Sequence, residues 1–381
     1  MKGLRADRLA SLDALRGFAI AAMVLVNNPG DWDALYAPLA HARWHGWTFT
    51  DWVFPFFLFA VGVSMSFSLA ARAAAGASRA RLLAVMARRS ALIFAIGLAL
   101  NAVPAFDWAQ LRVPGVLQRI ALASLLAAPL VLWCRWRGLL LGALAWCALY
   151  AWPMLAWPVP DAQRVVGAGV LEPGRDFGAW IDRQVFGAHL WKASRSWDPE
   201  GLWSTLPAVA TVLLGAIAGR GLASAAAPAE KTAWLFVAGL GAAWLGTVLD
   251  AWFMPINKNL WTPSYTVFTA GWAACALGVF HWLMDAAPQP GLRAAARRGL
   301  QPLVVYGVNA LAVFVVSGLL ARLLLVFKLS DGRSLKQALY APLQALPLAP
   351  PQASLLYALG FQLAMFALAW VLWRRRWFFS A

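Results

Sequence analysis

The chain reads as an all-α polytopic membrane protein with about ten transmembrane helices and both termini cytoplasmic. Three observations predict this. Of its 381 residues 62% are hydrophobic and only 13% charged, a balance unlike that of soluble domains. Apolar runs long enough to cross a hydrocarbon core of about 30 Å, roughly 20 helical residues each, recur along nearly the whole length. Lys and Arg gather in alternate connecting segments, as the positive-inside rule requires.

The expected spans are 9–27, 49–71, 83–104, 115–134, 138–157, 204–220, 232–251, 264–284, 299–327 and 353–373. The first resembles a signal peptide in length, but no small-residue cleavage site follows it and Asn27-Asn28-Pro29 ends it abruptly, so it reads as a retained helix. The third is interrupted by Arg88 and Arg89, and its first turns are expected to lie along the inner interface as an amphipathic segment. With the N-terminus inside, the inner segments carry 18 Lys/Arg, and the outer segments carry 6 outside the long 158–203 loop. That inner rim faces anionic lipid, which accounts for the formal net charge of +16 without a nucleic-acid partner.

Only 158–203 is a sizeable hydrophilic stretch, so residues 1–381 form a single membrane domain with 158–203 as an outer cap loop. Within the cap, Ala179–Leu190 can form an amphipathic helix, and Pro-Gly and Asp-Pro pairs at 173–174 and 198–199 mark turns. No period of 20–50 residues suggests a repeat. Cys134, Cys147 and Cys275 sit in or beside apolar helices without paired spacing and read as packing residues. The absence of an Asn-X-Ser/Thr sequon favours a bacterial inner membrane over a glycosylating compartment.

The polar residues of 27–62 stand out because titratable groups at a membrane boundary are costly to desolvate. His41 and His45, four apart, would share a helical face. A metal pair lacks the intervening acidic residue, and Arg43 stands between them, so no metal is expected. An imidazole can instead take a proton from an attacking amine, or itself attack a thioester. Asn27, at the outer end of the first helix, can donate to an oxyanion, and Asp51 can fix the imidazole tautomer; both also fit helix caps. Trp44 and Trp47, which flank His45, read as site walls, while most of the other Trp residues are interfacial anchors. Asp13 and Arg16 can pair one turn apart. Arg119 and Arg322 need a partner or a use in their apolar helices, and Asp250 can neutralise one of them. A second constellation, PINKNLWTPS at 255–264, places Asn257, Lys258 and Trp261 on the outer side, able to bind phosphate, carboxylate or sugar hydroxyls.

SLDALRGFAIAAMVLVNNPG, HARWHGWTFTDWVFPFFLFAVG, VPGVLQRIAL, DPEGLWSTLPAVATVLLG and PINKNLWTPSYTVFTAG together resemble the bacterial members of the heparan-α-glucosaminide N-acetyltransferase family, part of the transmembrane acyltransferase superfamily. The resemblance covers nearly the whole chain. It implies an enzyme moving the acetyl group of cytosolic acetyl-CoA to a glucosamine amine, with His41 as the essential histidine and Asn27 and Asp51 beside it. His45 stands where the lysosomal relatives carry Asn and is a rival for the catalytic role. No counterpart of the long N-terminal luminal segment of those relatives is expected, and a free amino sugar or chito-oligosaccharide is therefore the expected acceptor.

The expected substrate contacts are therefore His45, Trp44, Asn257, Lys258 and Trp261. Acetyl-CoA is expected to meet Arg88, Arg89 and Arg119, with the inner rim preferred for its phosphates. The bilayer and a small amino sugar are the expected partners, and a second copy of the chain is a further candidate. An O-acetyltransferase of a periplasmic glycan and an amino-sugar transporter are the alternatives, although a transporter predicts inverted repeats that the sequence does not show.

Overall fold

A computed structural model describes residues 9–379. The basic residues Lys2, Arg5 and Arg8, which contribute to the expected inner rim, lie outside that range. The membrane helices are α1 (Ala10–Val26), α2 (Phe49–Met65), α3 (Arg79–Ala102), α4 (Val116–Trp133) and α5 (Trp136–Ala156). A short cap helix α6 (Phe177–Phe186) precedes α7 (Thr205–Leu222), α8 (Pro228–Trp252) and α9 (Pro263–His281). After them come α10 (Pro290–Gly299), α11 (Gln301–Val308), α12 (Ala310–Val326), α13 (Leu335–Gln344) and α14 (Pro350–Arg374). Among the described residues, eight helices are long and apolar enough to span a membrane, counting α2 with its helical continuation to Ala74, or nine if the bent pair α11–α12 counts as one; α1 has 17 residues against 18 for the shortest of them.

The helices form two shells. In α2, α4, α7 and α9, 61–72% of the apolar window is buried inside the protein, against 28–33% in α3, α5, α8 and α14. The inner shell, which α1 joins, is mostly apolar but also buries Asp13, Gln118 and Arg119; the outer helices turn Leu141, Trp244 and Leu363 outward. Large side chains in such numbers are tolerable on a surface whose solvent is lipid. Inner helices approach backbone to backbone through small residues: a Cβ on Gly62 of α2 would stand 1.9 Å from the Val212 carbonyl oxygen of α7, and one on Gly215 of α7 would meet the Phe59 oxygen at 2.1 Å.

Two expected spans differ. The helix at 83–104 has no separate interfacial start: α3 is continuous from Arg79, and Arg88 and Arg89 stand exposed roughly 14 Å along it. The 299–327 span is broken, with α11 and α12 bent by 81° at the buried Asn309. The Asn309 side-chain oxygen accepts the Phe379 N–H at 3.0 Å, which ties the break to the segment after α14. Its lead-in is α10, a basic amphipathic helix with no buried residue, which hydrophobicity could not reveal.

Loops 27–48, 103–115, 157–204, 253–262 and 327–349 meet at one end of the bundle. Gly46 N donates to Ile256 O at 2.8 Å, Val113 N to His189 O at 3.0 Å and Gly30 N to Ser354 O at 3.2 Å. Ser11 N donates to Asp285 at 3.2 Å at the opposite end. The cap holds a small hairpin, Val159–Pro160 paired with Val166–Gly167, and α6, whose Asp176 side chain caps Ala179 N at 2.9 Å. Helix α6 falls within two residues of the expected 179–190 start and ends at Phe186, followed by a single 3-10 turn.

Packing and burial each generate a prediction. Gly62→Val should cost more than the ~1–3 kcal/mol of ordinary overpacking, because rigid backbone opposes the new Cβ. Gly241→Val, where an added Cβ meets nothing within 4 Å, should be silent; thermal stability in detergent compares them. The second concerns Asp182, buried in the cap, where burial pushes its pKa from 3.8 up to about 7. A carboxyl raised in the fold binds more protons folded than unfolded between those values, so stability is lost as pH rises through that window, by up to roughly 1.4 kcal/mol per pH unit. Asp182→Asn, which keeps the acceptor for Leu202 N, should therefore be more stable than the parent at pH 8 and no more stable at pH 4.

Candidate active site

Asp51 is the third residue of α2. Its Oδ2 reaches back over the helix start to accept Thr48 N at 2.9 Å, Ala42 N at 3.0 Å and Thr48 Oγ1 at 3.2 Å. The free N–H groups and the positive end of the helix dipole stabilise a carboxylate there. Oδ1 meets His41 Nδ1 at 2.6 Å. Helix capping and the contact with the imidazole, alternatives at the level of sequence, are thus divided between the two oxygens of one side chain. The carboxylate is 1% exposed and the imidazole 42% exposed, so the pair joins a fixed anion to an accessible base. A carboxylate accepts only, so Nδ1 carries the proton and Nε2 the lone pair.

Nε2 faces Lys258 Nζ at 3.4 Å. Lys258 rides on a loop held by its own side chains: Asn257 Oδ1 accepts Leu260 N at 2.9 Å, and Thr262 Oγ1 accepts Asn257 N at 3.1 Å and donates to Pro255 O at 2.8 Å. Asp250 Oδ1 takes Ile256 N at 2.5 Å. It therefore anchors this loop and pairs with neither Arg119 nor Arg322, contrary to the sequence expectation. Tyr265, at the start of α9, donates to the Asp51 carbonyl at 2.5 Å, tying the loop to α2. Burial lowers the Lys258 pKa, with Glu200 and Asp51 opposing that effect.

His45 does not share a face with His41. Its Nδ1 meets Asn257 Nδ2 at 3.3 Å, and burial lowers its pKa. Trp44 turns toward the cap, donating Nε1–H to Leu171 O at 2.7 Å and packing edge-on against Trp197 at 5.1 Å. Asn257 and Trp261, expected to face substrate, are wholly buried: Trp261 donates to Thr211 Oγ1 at 3.2 Å and lies under the Arg119 guanidinium at 4.9 Å. They build the loop. Asn27 ends α1 with its side chain exposed, and among the described residues no hydrogen bond joins it to His41.

The three arginines expected to hold the donor do not form one patch. Arg88 and Arg89 lie on the exposed side of α3. Arg119, 1% exposed, bonds Gly201 O at 3.2 Å and Ser204 Oγ, while its Nε and Nη1 have no partner. Arg322 bonds Gly318 O at 3.1 Å and Asn101 at 3.4 Å. His189 and His281 are satisfied by Leu111 O and Thr232 Oγ1, both at 2.8 Å, and serve the scaffold. Asp13 and Arg16 approach to 3.7 Å.

Sequence reasoning missed the ionic group behind Lys258. Arg112 bridges Asp198 at 2.5 Å and Glu200 at 2.6 Å. Burial alone would raise the Glu200 pKa, but Arg112, Lys258 and Arg119 outweigh it and hold the carboxyl below its ordinary value. The available signal was DPEGLW, a polar run leading straight into an apolar helix.

Residues 8–173 match the family model described as heparan-alpha-glucosaminide N-acetyltransferase, catalytic. The chain is 30% identical over 365 residues to the heparan-alpha-glucosaminide N-acetyltransferase of Homo sapiens, covering 81% of this chain and 52% of that protein. With the Mus musculus protein of the same name it shares 28% identity over 392 aligned positions, covering 88% and 57%. The chain spans about half the length of the curated relatives it matches.

Proposed function

The chain belongs to the heparan-alpha-glucosaminide N-acetyltransferase family, and from that membership and the His41–Asp51 pair we propose that it transfers the acetyl group of acetyl-CoA to the amine of glucosamine or a glucosamine-terminated saccharide. The observation that carries this reading is an accessible imidazole whose Nδ1 is locked to a buried carboxylate at 2.6 Å, leaving Nε2 as the base. The amine lone pair adds to the thioester carbon and forms the C–N bond while the carbonyl electrons move to oxygen. Nε2 takes the amine proton. The carbonyl then reforms, the C–S bond breaks, and the departing sulfur receives that proton, giving the acetamide and free coenzyme A. Asp51 stabilises the imidazolium between the two steps without itself changing protonation.

His45 and Trp44, at the mouth beside the cap, are the contacts assigned to the sugar. Arg88 and Arg89 are assigned to the donor phosphates, with the termini on the cytoplasmic side of a bacterial inner membrane.

Purified protein in detergent, given radiolabelled acetyl-CoA with glucosamine or N-acetylglucosamine, should label glucosamine alone. Labelling of N-acetylglucosamine instead would favour O-acetylation, and no labelling would defeat the proposal. His41→Ala should lower kcat by roughly 10²–10⁴-fold with the protein still monodisperse, whereas His45→Asn should retain most activity; the reverse order would reassign the base. Arg88→Gln combined with Arg89→Gln should raise KM for acetyl-CoA and leave that for glucosamine unchanged, and an equal effect on both would remove these arginines from the donor site.

A further inference from the structure

Lys258 Nζ lies 3.4 Å from His41 Nε2, and among the described residues no carboxylate forms an ion pair with it. Its charged surroundings come from four directions: Asp51 on α2, Glu200 in the cap, Arg112 in the 103–115 loop and Arg119 on α4. The imidazole offers one lone pair. An acceptor amine that takes it for proton transfer leaves the lysine ammonium without its acceptor, one contact distance from the reacting atoms.

We infer that Lys258 is a catalytic residue whose ammonium donates to the thioester carbonyl oxygen as the amine adds to it. The inference rests on the acetyl-transfer reading above. Charge balance supports it: when the amine proton reaches Nε2, the imidazolium is paired by Asp51, and the negative charge arriving on oxygen at the same moment is paired by Lys258. Without that oxyanion, two cations 3.4 Å apart would oppose proton transfer. The loop is also built for positioning. Tyr150 Oη holds the Leu260 carbonyl at 2.7 Å, Trp261 is locked beneath, and Asn257 spends both ends of its amide on Leu260 N and His45. Preorganised donors aimed at developing charge supply much of the rate enhancement in many acyl transfers. Asn27, expected from sequence to donate to the oxyanion, makes no hydrogen bond to His41 among the described residues, whereas Lys258 stands beside His41 and lies outside the matched 8–173 segment.

The test compares Lys258→Gln, Lys258→Arg and the parent by kcat, KM and the pH dependence of kcat. Loss of the cation should lower kcat by roughly 10²–10³-fold, with both KM values within about threefold. Burial lowers the lysine pKa, so the parent's kcat should fall on the alkaline side below the ordinary lysine value of 10.5. That fall should be absent in Lys258→Gln and displaced upward in Lys258→Arg, which should recover part of the lost rate. A Lys258→Gln enzyme that keeps the alkaline fall, or whose kcat is within threefold of the parent, overturns the inference. So does a loss of thermal stability with kcat and the pH profile unchanged, which would make the lysine structural. Should Lys258→Gln not purify, a flat parental profile up to pH 10.5 overturns it equally. Parental protein that transfers nothing defeats the acetyltransferase reading and this one with it, whereas parental transfer with unaltered mutants defeats only the role of Lys258.

Discussion

The bond between Asp51 and His41 depends on where α2 begins. Thr48 and Ala42 must supply N–H groups to one carboxylate oxygen so that the other is free for the imidazole. The helix start thus sets the rotamer of the acid, and the acid sets the tautomer of the base. Gly62, further down the same helix, fixes its depth against α7. A shift in that close contact would be carried up the rigid helix to the carboxylate. Packing in the inner shell and the geometry of the His41–Asp51 pair are therefore one mechanical problem.

The surrounding loops solve a second problem, the storage of charge at a membrane boundary. Arg112 holds Asp198 and Glu200 together, and Glu200 in turn is the strongest counterweight to the desolvation of Lys258. This chain of alternating signs lets a cation stand beside a histidine without a direct ion pair. It also links the cap to the site, as does the Trp44 indole, which grips Leu171.

Much of this was legible in the sequence because long apolar runs and basic loop bias act locally. The inner shell, mostly hydrophobic, is readable as spans within a few residues. His41 and Asp51 were legible because polar groups beside such helices are costly. Arg119 and Asp250 stand out for their charge, but whom they meet depends on which loops converge, and no local pattern encodes that. Trp261 and Asn257 were misplaced for the same reason: a polar loop can be turned inward when its own side chains satisfy its backbone. The broken α11–α12 span was missed because hydropathy averages over Asn309.

The division into two shells has a consequence for how the sequence can drift. A helix such as α8, which touches the core along one narrow face and lipid on the rest, needs only to remain apolar over most of its circumference. In α2 and α7, 72% and 67% of the apolar window is buried against neighbours. Substitutions among Leu, Val, Ile, Phe and Trp should accumulate freely on the outer ring while the inner one resists even a methyl group. Divergent relatives would then differ most in the helices that contain the most Trp-rich, lipid-facing surface, and least in α2 and in helices such as α7 that hold its carboxylate at its depth.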